Sequence, residues 1–136
     1  MIKLNIPVEE FTTPNPVIAT VDMTVEVLQE RMKRHGIRHL PIVHVGKVVG
    51  VVSERDLKVV MGLDEAHRQQ VSAGDIMAQN PVSVAASTPL DEVAFTMVEH
   101  KVGSLIVNED DGGLLGIFTV TDALNALMEV VRGELL

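Results

Sequence analysis

The sequence contains no cysteine, tryptophan or tyrosine, and phenylalanine occurs at three of its 136 positions. The absence of cysteine excludes disulfides, zinc–thiolate centres and thiol catalysis. With so few aromatic side chains, the chain also lacks the stacking surfaces with which proteins hold single-stranded nucleic acid. The core must therefore be built from aliphatic residues, methionine and alanine.

Positive charge is scarce as well. Eleven Lys and Arg residues stand against 19 Asp and Glu residues, and the net charge of −8 predicts no binding to bulk DNA or RNA. The charge is uneven, because residues 1–58 hold eight basic and seven acidic residues whereas residues 59–136 hold three and twelve. An anionic ligand is therefore expected in the first half of the chain.

Long apolar runs are also missing. No run approaches the roughly 18 residues that a membrane span requires. The amino terminus lacks the basic segment and the apolar region of a secretory leader. These features predict a soluble cytoplasmic protein with no membrane partner.

The chain contains an internal repeat of about 50 residues. The tripeptide Asn-Pro-Val at 15–17 recurs at 80–82, a shift of 65. After one extra residue in the acidic turn at 109–113 the shift becomes 66. The pairs related by that second shift are Gly50 and Gly116, Ser53 and Thr119, and Asp56 and Asp122.

Each copy is predicted to fold as strand, helix, strand, strand, helix. The first helix is expected to end at Gly36, since glycine accepts a left-handed conformation. In the second copy, Thr88 is expected to be the N-cap and Pro89 the first helical residue. Apolar residues at helical spacing predict the buried helix faces, which are Val25, Leu28 and Met32 in one copy and Leu90, Val93, Ala94 and Met97 in the other.

Two β-branched runs follow the first helix of each copy and predict a hairpin. In the first copy the strands are expected to join at Gly46-Lys47. Residues 62–76 are more polar and are predicted to link the copies, with a helical turn near "AGDIM". The predicted domains are a first repeat at 1–61, this linker, and a second repeat at 77–136, which together form one α+β body.

The most informative motif is Ser/Thr-x-x-Asp, which precedes the last helix of each copy. A simple interpretation is a capping box, in which the hydroxyl and the carboxylate satisfy backbone N–H groups. The capping box prefers Glu or Gln, so Asp in both copies also indicates a short acceptor of fixed reach. A helix start with a hydroxyl suits a phosphate, and a carboxylate suits two sugar hydroxyls. The two roles are compatible, and the motif alone leaves both open.

Taken together, these motifs resemble paired cystathionine β-synthase (CBS) domains, also called the Bateman module. The resemblance extends from residue 12 to about residue 130. It rests on "GIRHLPIV" and "GKVVGVVSERDL" in the first copy and on "NPVSV", "VGSLIV" and "GLLGIFTVTDAL" in the second. Among such proteins the chain is similar to stand-alone acetoin-utilisation-type accessory proteins. The fold implied is α+β, with two pseudo-symmetric β-α-β-β-α repeats.

The resemblance implies regulatory binding of an adenosine compound in clefts between the repeats: AMP, ADP, ATP, S-adenosylmethionine or a dinucleotide. It also implies a homodimer that signals to an unknown protein target by changing the orientation of the repeats. By the family pattern, Asp56 takes the ribose hydroxyls, Ser53 a phosphate or ribose oxygen, and Arg38 and His39 approach the phosphates. The residues expected to hold the adenine are Thr12, Val17, Ile37 and Val51. The equivalent second set is Met77, Val82, Val102, Gly103, Ser104, Ile117, Thr119 and Asp122.

The copies differ where a phosphate would bind. Arg38-His39 becomes Gly103-Ser104, so the second site loses both its cation and its imidazole. We therefore expect two unequal sites: the first binds a phosphorylated adenosine, and the second binds weakly, binds an uncharged adenosine moiety, or stays empty. Arg55 beside Asp56 either joins the phosphate group or pairs on the side of Glu54.

Other classes of function find little support. His35, His39 and His44 are not expected to bind a metal, because Gly36 ends the helix between the first two and no carboxylate has ligand spacing. An enzyme is not expected, since the sequence has no nucleophile elbow, no phosphate-binding loop and no dinucleotide fingerprint, and no cofactor beyond the regulatory ligand is implied. The remaining alternative is a structural or dimerisation module without a ligand.

Overall fold

A computed structural model describes residues 5–133 of the chain. Its elements are, in chain order, a 3-10 helix (Val8–Phe11), β1 (Thr13–Pro14), β2 (Ala19–Thr20), α1 (Val25–His35), β3 (His39–His44), β4 (Lys47–Ser53), α2 (Glu54–Met61), α3 (Glu65–Arg68), α4 (Ala73–Ile76), β5 (Ala78–Gln79), β6 (Ser83–Ala85), α5 (Leu90–His100), β7 (Ser104–Asn108), β8 (Leu114–Thr119) and α6 (Val120–Val131). The β-α-β-β-α order of each repeat is thereby confirmed.

The described chain forms two compact units. The first-repeat unit comprises residues 16–81, and the second-repeat unit comprises residues 5–15 and 82–133. Each contains one four-stranded sheet, in the order β2-β3-β4-β5 or β1-β8-β7-β6. In both sheets one outer pair is parallel, β2 with β3 or β6 with β7, and the other neighbours are antiparallel. The repeat boundaries given above, 1–61 and 77–136, stay a prediction.

The first-repeat unit folds around α1 much as its sequence pattern predicts. The Thr24 hydroxyl caps the start of this helix by accepting a hydrogen bond from the N–H of Val27. Gly36 ends it at φ 62° and ψ 35°, the predicted left-handed terminator. Val25, Leu28 and Met32 are buried in the core, as their spacing predicts. The helical turn expected near "AGDIM" is α4, and α3 precedes it in the same polar segment.

The hairpin turn lies one residue earlier than predicted. Val45 and Gly46 have φ values of 50° and 74°, so they are the two central residues, and Lys47 already begins β4. Two positive φ angles match the twist of a tight hairpin, and glycine provides one of them at no steric cost. The prediction of Gly46-Lys47 was therefore wrong by one position.

The start of α5 also differs from the prediction. Pro89 rather than Thr88 is the N-cap, and no side chain caps this helix. The amino-terminal segment takes that role, because the N–H of Leu90 donates to the Ile6 carbonyl at 2.9 Å and the Thr88 carbonyl accepts from Val8 at 2.8 Å. On the same helix Ala94, predicted to be buried, is exposed.

Two short strands escaped prediction, and they position part of the candidate sites. β1 pairs with β8 at Gly116, and β5 pairs with β4 at Gly50. A Cβ at Gly116 would collide with the Thr13 carbonyl, and a Cβ at Gly50 would collide with the Met77 side chain. Glycine recurs at this repeat position because another backbone or side chain crosses directly over it.

No helix within residues 5–133 has the length and apolar character needed to cross a membrane.

Candidate ligand-binding sites at two helix starts

The first candidate site is centred on the start of α2. The Ser53 hydroxyl accepts a hydrogen bond from the N–H of Asp56 at 3.2 Å, and Oδ2 of Asp56 accepts one from the N–H of Ser53 at 2.9 Å. The capping box is thus complete. Oδ1 of Asp56 accepts no hydrogen bond from any residue between 5 and 133. The cap therefore fixes the carboxylate and still leaves it an oxygen with which to bind a ligand.

Arg38 and His39 are brought to the same place by the hairpin. His39 opens β3 directly opposite Ser53 at the end of β4. The carbonyl of Arg38 accepts a hydrogen bond from the N–H of Glu54 at 2.8 Å, which ties the chain before β3 to the first turn of α2. Four of the predicted residues, Arg38, His39, Ser53 and Asp56, are therefore neighbours in the structure.

His39 is half-buried, and burial lowers its pKa. Arg38 acts in the same direction, whereas the carboxylates of Asp56 and Glu54 oppose the shift. The lowered pKa of His39 favours the neutral ring. An anion bound beside it would favour the protonated ring, so this imidazole can respond to a phosphate.

The Arg38 guanidinium is weakly held. Its side chain is 81% exposed, and its Nε lies 3.9 Å from Oε2 of Glu54. Glu54 has a closer partner in Lys58, whose Nζ lies 3.1 Å from Oε1. The hydrogen bond from Lys58 is also the main reason why the pKa of Glu54 is lowered. Arg38 is therefore available for another anion.

The Arg55 side chain is exposed and forms no ion pair within the described chain. Of the two roles expected for it, the pairing near Glu54 is thus not observed, and a role toward phosphate stays a prediction.

The residues predicted to hold the adenine at the first site are divided between the two units of the structure. Val17 and Ile37 are partly buried against the core of the first-repeat unit, and Val51 is buried in β4. Thr12, which the sequence assigned to this set, lies in the other unit next to Gly116. Met77, assigned to the second set, packs here against Gly50.

The second candidate site repeats this frame at the start of α6. Oδ2 of Asp122 accepts from the N–H of Thr119 at 2.9 Å, and the Thr119 hydroxyl accepts from the N–H of Asp122 at 3.4 Å. Ser104 pairs with Thr119 across β7 and β8, and the Gly103 carbonyl accepts from the N–H of Val120 at 3.1 Å.

The remaining members of the second set surround this frame. Ile117 is buried in β8, Val102 and Val82 pack against the core, and the Val82 carbonyl accepts from the N–H of Ile106 at 2.9 Å. Thr12 joins them, buried, with its hydroxyl donating to the Val8 carbonyl at 2.7 Å.

The electrostatics of the two sites differ. Burial raises the pKa of Asp122, and the hydrogen bonds from Thr119 only partly oppose that shift. Neither Gly103 nor Ser104 offers a positive charge to this carboxylate, whereas Asp56 has Arg38 and His39 beside it. The second site thus has a carboxylate suited to hydroxyl groups but no counterpart of Arg38 or His39 at positions 103 and 104.

Sequence reasoning missed a groove next to the first site. It has a volume of about 590 Å³ and lies between α1 and α2, with Met32, Ile37, Leu57 and Met61 among its apolar lining residues. Lys33, Arg38 and Lys58 make its edge cationic. The one sequence signal for the groove's charged edge is the i, i+4 spacing of Glu54 and Lys58, which places both side chains on one face of α2. Within residues 5–133 no three or more His, Asp or Glu side chains are grouped to hold a metal.

Two sheet-and-helix repeats, each with a hydroxyl and a carboxylate at the start of its last helix, define a tandem-repeat module with two equivalent candidate sites. The chain belongs to the CBS domain family, whose model matches residues 8–62 and 73–129. This family is regulatory rather than catalytic, although some of its members are enzymes that carry the module as an accessory domain.

Among known proteins, the chain is 27% identical over 141 aligned positions to a CBS domain-containing protein of Dictyostelium discoideum, covering 95% of this chain and 96% of that protein. Other curated relatives are longer, and the chain spans between 19% and 62% of their length. They include inosine-5'-monophosphate dehydrogenases and a zinc metalloprotease.

Solved structures agree with the fold. A candidate acetoin utilization protein (AcuB) from Vibrio cholerae has a TM-score of 0.83 at 29% identity, with 97% of this chain and 98% of that chain covered. The CBS-pair protein CBSX2 of Arabidopsis thaliana, in its complex with AMP, has a TM-score of 0.77 at 28% identity, with 93% and 98% covered.

Proposed function

We propose that this chain is a regulatory module that binds a phosphorylated adenosine at the start of α2. The observation that carries the proposal is the grouping of Asp56 and Ser53 with Arg38 and His39, two groups that carry or can take up positive charge. Asp56 provides a fixed carboxylate for the ribose hydroxyls. Arg38 and His39 provide the charge that a phosphate requires.

The ligand class follows from this chemistry and from a relative. CBSX2, with the same fold, binds AMP. The apolar residues expected to contact the adenine ring are Val17, Ile37, Val51 and Met77, which all belong to the first-repeat unit. A cation beside the site favours a phosphorylated nucleotide over S-adenosylmethionine, whose sulfonium is itself positive. AMP, ADP and ATP are therefore the leading ligands.

The second site, at Thr119 and Asp122, plays a lesser part. It has the carboxylate for a ribose but no counterpart of Arg38 or His39, and burial already disfavours the charged form of Asp122. It therefore binds an adenosine moiety weakly or stays empty. We propose that this site is formed by the predicted second set, except that Thr12, which lies beside Gly116, takes the place of Met77.

The output of the module is a population shift. A ligand that prefers one of two conformations of the module shifts the population toward it by as much as its affinities for the two differ. We infer that the protein acts as a homodimer in the cytoplasm, passes this change to a protein target, and catalyses no reaction itself.

Calorimetry with AMP tests the proposal directly. Asp56→Asn keeps one acceptor oxygen for the capping box and removes the charge that binds the ribose, so AMP should bind at least 10-fold more weakly. Asp122→Asn is the matched control in the other repeat and should change AMP affinity less than threefold. Full AMP affinity in Asp56→Asn would show that the nucleotide binds elsewhere.

A ligand-free structural module is the second candidate, and one observation favours it: both capping boxes are complete without a ligand. A thermal-shift panel of AMP, ADP, ATP, adenosine and S-adenosylmethionine separates the two. A ligand at a hundred times its dissociation constant adds about 2.7 kcal/mol to the free energy of unfolding and raises Tm by several degrees. No shift with any of the five compounds would establish the structural alternative.

A further inference from the structure

The groove between α1 and α2 is a ligand-sized cavity in the first-repeat unit. Its volume of about 590 Å³ lies within the range of small-molecule sites, roughly 300 to 1,000 Å³. Met32 and Leu57 are buried beneath it, whereas Ile37 and Met61 are half-buried and keep part of their apolar surface in contact with water. A hydrocarbon group in the groove would remove that apolar surface from water, which is favourable.

The charged residues of the groove are concentrated at one end. The carbonyl of Arg38 accepts a hydrogen bond from the N–H of Glu54 at 2.8 Å, so the chain leaving α1 meets the start of α2. Lys33 lies in the last turn of α1, and Lys58 lies one turn into α2. Three cations and one carboxylate give this end of the groove a net positive charge, although the chain as a whole has a net charge of −8.

The other end of the groove is lined by uncharged residues. Both helices extend away from the charged end, and they contribute Gln29 from α1 and Met61 and Gly62 from α2. From Glu54 to Met61, α2 extends about 10 Å at 1.5 Å per residue. An extended chain of roughly eight carbons has a similar length. The groove therefore matches an amphiphile, because its cationic end suits an anionic head and its apolar end suits a hydrocarbon chain.

The internal repeat shows that the fold does not require these charges. All four charged residues of the groove have uncharged counterparts in the second repeat. The counterparts of Lys33, Arg38, Glu54 and Lys58 are Val98, Gly103, Val120 and Leu124, respectively. The side chains of Arg38 and Lys58 are also 81% and 75% exposed, and exposed ion pairs contribute little to folding. A role in binding an anion accounts for cations that the fold does not need.

We propose that the groove binds a monocarboxylate of the fatty-acid type, with a chain of roughly eight carbons. Its carboxylate would accept charge-assisted hydrogen bonds from Lys33, Arg38 and Lys58, and its chain would lie toward the uncharged end. This site is separate from the proposed ribose position, because Asp56 does not line the groove and lies about 200° around α2 from Glu54. The fatty-acid ligand is thus additional to the nucleotide.

Calorimetry with octanoate tests the site in the whole chain. Octanoate should bind, octanol, which has the same chain without the charge, should bind roughly fivefold more weakly or less well still, and acetate should not bind. Lys58→Gln removes one cation and should weaken octanoate binding roughly fivefold. Lys47→Gln is the matched control, since Lys47 is an exposed lysine of the same unit outside the groove. Equal affinities for octanoate and octanol, or equal effects of the two substitutions, would overturn the proposal.

NMR of the methionine methyl groups locates the bound chain without a disruptive substitution. Met32 and Met61 line the groove, whereas Met97 is the counterpart of Met32 in the second-repeat unit. Octanoate should shift the signals of Met32 and Met61 and leave that of Met97 unchanged. A shift of Met97 without a shift of Met61 would place the amphiphile elsewhere and refute the assignment. AMP is titrated separately, so a chain that binds AMP but not octanoate refutes the groove ligand alone.

Discussion

Replacing Arg38 with alanine separates the binding role of this side chain from any role in stability. The Arg38 side chain is 81% exposed, and its contact with Glu54, at 3.9 Å, lies near the limit of an ion pair. Exposed pairs of this kind contribute little to folding. The substitution should therefore leave the free energy of unfolding almost unchanged, while removing the permanent positive charge nearest to His39.

The expected effect on binding follows from the lost contact. A charge-assisted hydrogen bond between a guanidinium and a phosphate contributes about 1.5 to 3 kcal/mol, which corresponds to a factor of roughly 10 to 150 in Kd. Because Arg38 is largely exposed, the lower part of that range is expected. Adenosine has no phosphate, so its affinity should not change.

Isothermal titration of AMP and adenosine into the wild type and Arg38→Ala measures both effects. Arg34→Ala is the control for net charge, because Arg34 is a similarly exposed cation on α1 whose partner is Glu30 at 4.0 Å. At physiological salt the Debye length is about 8 Å, so a remote charge should matter little. The reasoning is refuted if Arg38→Ala and Arg34→Ala bind AMP equally well, or if adenosine loses as much affinity as AMP.

Three further outcomes are expected. Gly116→Ala should lower the free energy of unfolding in urea by about 1 to 3 kcal/mol, because the new Cβ meets the backbone of β1, whereas Gly62→Ala, at a right-handed helix end, should lower it less or raise it. The pKa of Asp122 is raised in the folded protein, so the free energy of unfolding should fall as pH rises from the usual aspartate pKa to the pKa of folded Asp122. Urea titrations of Asp122→Asn should lack this fall. A variant with the same pH profile as the wild type would contradict the prediction. The pKa of His39 is lowered in the folded protein, so as pH falls the imidazole is protonated first in the unfolded chain. The free energy of unfolding should therefore fall as pH drops through 6.5 toward the pKa of folded His39. His39→Gln should remove that contribution, and an equal dependence on acid pH in the wild type and the variant would argue against it.

Much of this fold could be predicted because its signals are local. The end of α1 at Gly36 needs a left-handed residue, and the last helix of each repeat needs a capping group, which Ser53 and Thr119 provide. These requirements are met by residues within a few positions of one another. A repeat that presents them twice, at a constant shift, makes each signal more reliable than it would be alone.

The features that escaped prediction depend on contacts between distant residues. β1 and β5 contain two residues each, too few to show a strand period, and they form because Gly116 and Gly50 let them approach. The same contacts place Thr12 beside Gly116 and Met77 beside Gly50. The predicted cap at Thr88 failed for a related reason, since the amino-terminal segment binds the start of α5.

The two repeats keep the same backbone frame and differ in the side chains that the frame presents. In both units a capping box fixes a carboxylate, and the carbonyl before the hairpin binds the first N–H of the helix. On that frame, Arg38 in one unit corresponds to Gly103 in the other, and Lys58 corresponds to Leu124. Charged side chains thus lie at the start of α2 in the first-repeat unit, whereas α6 presents apolar side chains at the equivalent positions. Since Arg38 and Lys58 are exposed and lie outside the core, the repeats differ in charge at these positions while their fold is the same.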